Sequence, residues 1–129
     1  MRRASLLAAL ALVAAGCNGG TVDRHALKQD TGHIDSLACE GRLLANDVSK
    51  GASTTYFARV HSGILAEDAS HFADALAKRP TSPGLEARIR AQARRAATVS
   101  RHLNELHRHP SDRAVAQRVQ AELAKDGDC

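Results

Sequence analysis

Seven histidines are the residues of this chain that could bind a transition metal. Ligand pairs on a helix usually stand about three or four residues apart, because that spacing places both imidazoles on one face. No two of these histidines have that spacing, since His102 and His107 are five apart and His107 and His109 are two apart. We therefore expect surface or boundary histidines, with His102, His107 and His109 as the weak candidates for a metal site.

The sequence contains none of the common catalytic signatures. It has no nucleophile elbow, no phosphate-binding loop and no metalloprotease motif. The Glu-x-x-His pair that di-iron bundles use is also missing. Helix caps and solvated faces account for the scattered serine and aspartate residues. We predict a protein that is not an enzyme and that needs no cofactor.

Four arginines form a regular charged pattern: Arg90, Arg94, Arg101 and Arg108. On a helix with about 100° per residue, they fall within about 40° of one another. Their row would be about 27 Å long. Such a row could bind anionic lipid headgroups or an acidic envelope component. The alternative is a solvated helix face, which is what charge runs usually are.

Composition points to an all-α fold. Alanine and leucine, which favour helices, are abundant in the 129 residues, and no segment alternates apolar and polar residues as a strand does. The only aromatic residues are Tyr56, Phe57 and Phe72. Because they leave few platforms for base stacking, we expect no nucleic-acid partner despite the formal net charge of +4.

Apolar residues recur at intervals of three and four in four segments: 23–50, 53–78, 83–108 and 110–125. This periodicity predicts four amphipathic helices. Because the connections are short, it also predicts an up-down four-helix bundle with a short fourth helix. Ser82 and Pro83 are expected to cap and begin the third helix.

Each of the four helices has a predicted core face. The first is expected to bury Leu27, Ile34, Leu37, Ala38, Leu44, Ala45 and Val48, and the fourth is expected to bury Val115, Val119 and Leu123. The second helix is expected to bury Phe57, Val60, Ile64, Phe72 and Leu76. The third has a regular seam, which is typical of packing in a bundle and is also compatible with self-assembly. The seam consists of Leu85, Ile89, Gln92, Ala96, Val99, Leu103 and Leu106.

One pair of glycines predicts a close contact between the first two helices. Gly41 and Gly63 lie about equally far from the turn that joins these helices. They are expected to face each other where the missing side chains allow the backbones to approach. The alternative is that each glycine is merely tolerated, at a cost of about 1 kcal/mol relative to alanine.

The first 16 residues have the layout of a secretory signal. Arg2 and Arg3 form a positive start, and an apolar run follows at 6–15. The run is about 15 Å long as a helix, which is too short to span a membrane. It ends in Val13-Ala14-Ala15-Gly16-Cys17, which resembles the lipobox of bacterial lipoproteins, with Ala14 where that family prefers leucine.

The resemblance implies that the leader is cut before Cys17 and that the thiol of Cys17 is acylated. The chain would then consist of a signal peptide at 1–16, a flexible tether at 17–22 and a helical bundle domain at 23–129. We expect an extracytoplasmic location, lipid-anchored to a bacterial membrane. In this family an aspartate after the cysteine favours the inner membrane, so Asn18 favours the outer membrane in a Gram-negative cell.

Cys39 and Cys129 remain after lipidation, which is an even number in an oxidising compartment. In an up-down bundle a frayed C-terminal tail could bring them together, and we predict a disulfide between them. The loop of about 90 residues would stabilise the fold by about 4 kcal/mol. The alternative is a buried Cys39 that behaves as an apolar residue, with Cys129 free or bonded to another chain.

These expectations favour a lipid-anchored envelope protein that acts as a non-enzymatic binding or scaffolding module at the membrane surface. The alternative function is a metal-binding or metal-sensing bundle that uses the histidines. A third is a structural bundle that assembles with itself, and the sequence leaves the oligomeric state open.

Overall fold

The computed structural model describes residues 20–127 and Cys129, and these form an all-α bundle. Its helices are α1 (Arg24–Lys50), α2 (Thr55–Lys78), α3 (Glu86–Arg108) and α4 (Arg113–Leu123). The predicted four-helix bundle with a short fourth helix is confirmed. The predicted leader and Cys17 lie outside the described residues. No helix in the described part of the chain is long and apolar enough to cross a membrane.

Side-chain caps and one glycine set half of the helix ends. Asp23, Thr54 and Asp112 each precede a helix and accept hydrogen bonds from backbone N–H groups of its first turn. Gly51 ends α1 in the left-handed conformation, with φ 71°, which glycine adopts without strain. Because Asp112 is the cap, α4 begins at Arg113 and not at the predicted position 110.

The start of α3 differs from the prediction. Ser82 does not cap this helix, and its carbonyl oxygen instead accepts a hydrogen bond from the N–H of Leu85 in a turn. Gly84 takes a left-handed φ of 86° there, and its N–H donates to the carboxylate of Glu86. A left-handed residue cannot continue an α-helix, so α3 begins at Glu86 and not at Pro83.

The helices pack in an antiparallel order around a single main core. The closest partnerships are α2 with α3 and α1 with α4, and α1 also contacts α3 across the core. The described parts of α2 and α4 do not touch. All of the predicted α3 seam is buried except Gln92, which is half-buried. Because the monomer itself buries this seam, it is not available for self-assembly.

The predicted core face of α2 is largely wrong. Leu76 is buried and Phe72 is half-buried, but Phe57, Val60 and Ile64 point outward. The buried face instead consists mainly of small residues, namely Ala58, Ser62, Ala66, Ala69 and Ala73, together with Leu65 and Leu76. Small side chains let α2 pack closely on α3, and this turns the larger apolar residues toward solvent.

A second, smaller core closes the end of the bundle where α1 begins. Val22 is fully buried and packs with Leu27, Leu85 and Ile89. Its N–H donates to the carbonyl oxygen of Pro80 at 2.8 Å, and its own carbonyl oxygen accepts from the loop before α3. Val22 therefore belongs to the folded domain, although the sequence placed it in the flexible tether.

The two glycines predicted to face each other do not. A Cβ on Gly41 would lie 2.5 Å from Leu103 Cδ2 and 2.9 Å from Leu123 Cδ1, so this glycine makes room for α3 and α4. A Cβ on Gly63 would lie 2.9 Å from Nδ1 of His107, so this glycine makes room for an α3 side chain. The prediction failed because α1 packs its glycine face on α3 and α4 and not on α2.

The C-terminal tail folds back onto α1. After α4 ends, Gly127 passes so close to α1 that a Cβ there would lie 3.0 Å from the carbonyl oxygen of Asp35. Cys129 is joined to Cys39 in a disulfide, with the two Cα atoms 5.3 Å apart. That separation is typical of disulfides. The bridge closes a loop with a sequence separation of 90 and fastens the end of the chain to α1.

Candidate functional site

The four arginines predicted to form a row are all exposed on α3: Arg90, Arg94, Arg101 and Arg108. Within residues 20–127, none of them forms an ion pair with a carboxylate. Arg95, which follows Arg94 and points about 100° away from it around the helix, behaves differently, because it reaches across to Asp35 of α1. The positive charge of the row is therefore not neutralised by the neighbouring residues. We call these four residues the basic row.

Two hydrogen bonds fix how α3 lies along α2. The hydroxyl of Ser100 donates to the carbonyl oxygen of Ala66 at 2.8 Å, and Nδ1 of His107 donates to the carbonyl oxygen of Arg59 at 2.8 Å. In this antiparallel register, 101–108 on α3 lies level with about 58–65 on α2. The remaining two arginines of the row lie nearer to the end of the bundle where Val22 packs.

The α2 residues at that level expose a cluster of large apolar side chains. The exposed fractions are 79% for Tyr56, 54% for Phe57, 41% for Val60 and 58% for Ile64. Single exposed apolar residues are common, but a contiguous cluster marks an interaction site in a monomer. We call these four residues the apolar patch. The patch was not expected, because three of its members were assigned to the core.

A shallow groove runs between α2 and α3 beside the patch. Small residues of α2 form its floor, Val60 and Ile64 form one edge, Glu67 and His71 continue that edge, and Asn104 and His107 come from α3. The small residues are Gly63, Ala66 and Ser70. Asn104 also borders a second depression, which is lined by Arg101 and Arg108. Val60 and Ile64 of the apolar patch thus border the groove on the α2 side, and Arg101 and Arg108 lie beyond Asn104 on the α3 side.

The three histidines of the weak metal prediction are not brought together. His107 packs over Gly63 and faces α2, where its Nδ1–H is used by the carbonyl oxygen of Arg59. His102 lies near Glu122 of α4, whose pKa is lowered mainly by a hydrogen bond from Lys125 and further by His102. His109 is the C-cap of α3. The described residues contain no group of three potential ligands that could hold a metal ion.

Two other histidines each lie beside a carboxylate across the contact between α1 and α2, a role that their spacing in the sequence did not predict. Nε2 of His61 lies 2.8 Å from the carboxylate of Glu40, and Nε2 of His33 lies 3.6 Å from that of Asp68. Each imidazole also packs on a phenylalanine ring, at centroid distances of 5.2 Å for Phe57 and 4.7 Å for Phe72. Both pairs thus join α1 and α2 along the same edge of the bundle.

Comparisons with known protein families, with curated proteins and with solved structures found no match to this chain. A functional proposal therefore rests on the described surface and on the lipobox-like sequence at Cys17.

Proposed function

We propose that this chain is a lipid-anchored bacterial envelope protein whose helical domain is a non-enzymatic binding module. Cys17 is the proposed site of acylation, and the basic row is the proposed contact with an anionic component at the membrane surface. The observation that carries the binding proposal is the exposure of four arginines along one helix without a carboxylate partner among residues 20–127.

The arrangement of charge supports this proposal. Arg90 and Arg108 are separated by about 27 Å along the helix axis, so the row presents charge along most of α3. Each basic group near an anionic surface contributes about 1 kcal/mol at most, so binding needs several groups acting together. Four arginines on one open face meet that requirement, whereas isolated lysines on other faces do not.

The position of Val22 determines which end of the domain a lipid on Cys17 would hold near the membrane. Hydrogen bonds fix this residue beside the loop that joins α2 to α3, at one end of the bundle. The five residues from Cys17 to Thr21 span at most about 17 Å when fully extended. A lipid on Cys17 would therefore hold this end of the domain close to the headgroups. Arg90 and Arg94 are the members of the row nearest to that end.

A charge-matched pair of variants tests the role of the row. In the mature chain with Cys17→Ser, the four arginines of the basic row are replaced by glutamine. The control replaces four other exposed basic residues by glutamine: Arg24, Lys28, Lys50 and Lys78. Binding to phosphatidylglycerol vesicles and to polyglutamate is measured at low salt, with neutral vesicles as the blank.

We expect the row variant to bind at least about tenfold more weakly than the parent, and the control variant to lose much less, because only the row concentrates its charge on one face. Equal losses in the two variants would show that net charge alone drives binding. Unchanged binding of the row variant would remove the basic row from the proposed function.

A further inference from the structure

We infer that the groove between α2 and α3 is a docking site for an acidic amphipathic helix of a partner protein. The inference rests on the proposed function, because it takes Arg101 and Arg108 from the basic row. It goes beyond that function because it names the class of partner and adds the apolar patch to the site.

The apolar patch is exposed to solvent, although Phe57 also stacks on His61. Tyr56, Phe57, Val60 and Ile64 lie within about two and a half turns of one another, and two of them are aromatic. The monomer gains nothing from exposing them, since the buried face of α2 is already filled by alanine, serine and leucine. A surface that exposes large apolar side chains side by side is typical of an interface that a partner covers.

The groove has a shape that can accept a helix. Its floor is formed by Gly63, Ala66 and Ser70, whose short side chains leave space between two antiparallel helices. A groove between helices accepts a third helix that presents apolar anchors about three, four and seven residues apart. From Tyr56 to Ile64 is eight residues, or about 12 Å, which matches two to three turns of such a partner.

The arginines beside the groove complement the charge of an acidic helix. The α2 side of the groove is apolar at Val60 and Ile64 and polar farther along, at Glu67 and His71. On the α3 side, Arg101 and Arg108 line the adjacent depression, level with Val60 and Ile64. A complementary helix has an apolar stripe with acidic residues along one flank. A flat anionic bilayer fits this surface less well, because Glu67, which lines the groove, and Asp74 are exposed farther along α2. A helix that packs over Val60 and Ile64 can keep its acidic flank on the α3 side, away from Glu67.

Tyr56 provides a local reporter for the test. It is the only tyrosine in a chain without tryptophan, and it lies in the patch. The probe is a designed helical peptide of roughly 18 residues, with leucines in one stripe and glutamates along one flank. A second peptide carries lysine in place of every glutamate. Both lack tyrosine and tryptophan, and they are titrated into the mature Cys17→Ser chain while Tyr56 emission and its quenching by acrylamide are followed.

We expect the acidic peptide to bind with micromolar affinity and to shield Tyr56, and the lysine peptide to bind at least about tenfold more weakly. The double variant R101E/R108E should reverse this preference. Ile64→Glu should weaken binding of the acidic peptide by about tenfold or more. The control is Leu43→Glu, since Leu43 is equally exposed, at 56%, but lies in a groove between α1 and α4. It should leave binding unchanged.

Four results would overturn the inference. The first is that the two peptides bind equally well, and the second is that neither binds more tightly than millimolar. The third is that raising the protein concentration alone shields Tyr56. The fourth is that anionic vesicles shield Tyr56 in the parent chain but not in Ile64→Glu. The third would mean that a second copy covers the patch, and the fourth that lipid does. The variant R90Q/R94Q separates this inference from the proposed function, because it should weaken binding to vesicles and polyglutamate but leave peptide binding intact.

Discussion

Replacing Gly41 by alanine tests the packing at the centre of the bundle. Alanine favours a helix over glycine by about 1 kcal/mol, so propensity alone predicts stabilisation. The added Cβ, however, would lie 2.5 Å from Leu103 Cδ2 and 2.9 Å from Leu123 Cδ1. Both leucines are fully buried and cannot swing into solvent. Overpacking of this kind costs about 1 to 3 kcal/mol, and two simultaneous clashes place Gly41→Ala near the upper end.

The net expectation for Gly41→Ala is a loss of about 2 kcal/mol in the free energy of unfolding. Gly32→Ala is the matched control in the same helix, because no atom lies within 4 Å of its added Cβ. That variant should gain up to about 1 kcal/mol. Urea unfolding followed by circular dichroism measures both under oxidising conditions. If Gly41→Ala were as stable as Gly32→Ala, the close approach of α1 to α3 and α4 would be refuted.

Three further predictions concern the disulfide, the ion pair of Asp30 with Arg79, and the Asp23 cap. Cys39→Ser and Cys129→Ser should each lower the free energy of unfolding by up to about 4 kcal/mol, and the double variant should lose no more than either single variant, because both open the same loop. Arg79→Met should destabilise the fold by more than Asp30→Asn does. Oδ2 of Asp30 is buried without a hydrogen bond, and Arg79 Nη1, 3.6 Å from it, supplies its counter-charge, so Arg79→Met leaves a buried charge unpaired. The pKa of Asp23 is lowered chiefly by the hydrogen bond that it accepts at the start of α1. The stabilisation from this cap is therefore fully present at pH values above the ordinary aspartate pKa, and it is lost as the pH falls through the lowered pKa.

Each of these predictions has a defined contradicting result. Additive losses in the double cysteine variant would mean that the two residues act separately. Equal effects of Asp30→Asn and Arg79→Met would mean that the buried carboxylate does not depend on its counter-charge. For Asp23, protection factors of the first-turn amides of α1 are compared, that is, exchange rates corrected for the intrinsic pH dependence of amide exchange. Protection should fall as the pH is lowered in the parent chain but stay nearly constant in Asp23→Asn, which keeps a cap without the ionisation. An equal fall in protection in Asp23→Asn would remove Asp23 as its source.

The parts of the fold that followed from the sequence are those with strong contrast between apolar and polar residues. In α3, large aliphatic residues alternate at intervals of four and three, and the arginines occupy the opposite side, so both faces could be assigned. The ends of α1 were also readable, because Asp23 and Gly51 have the residue types that begin and end helices.

The face of α2 could not be assigned by size and hydrophobicity. Its buried side is built from alanine and serine, which contrast little with their surroundings, whereas Phe57 and Ile64 gave a stronger but misleading signal. The spacing of Ala58, Ser62, Ala66, Ala69 and Ala73 did carry information, since small residues at intervals of three and four also form a helix face.

Only part of the candidate site could be predicted from the sequence. The basic row was found because it lies on one helix. The groove requires the register of α2 against α3, and that register is set by contacts such as Ser100 to Ala66, which are distant in sequence. The same limit explains the error at Gly41 and Gly63, because their partners depend on which helices meet.

The most direct test of the account is the intact mass of the protein extracted from bacterial membranes. We predict a mass equal to residues 17–129 plus acyl groups, and a rise of about 2 Da on reduction, as two hydrogens add to the Cys39–Cys129 disulfide. That result would support a lipid anchor on Cys17 and a folded domain held next to the membrane. An unacylated product in the soluble fraction would contradict the anchor and with it the proposed role at the membrane surface.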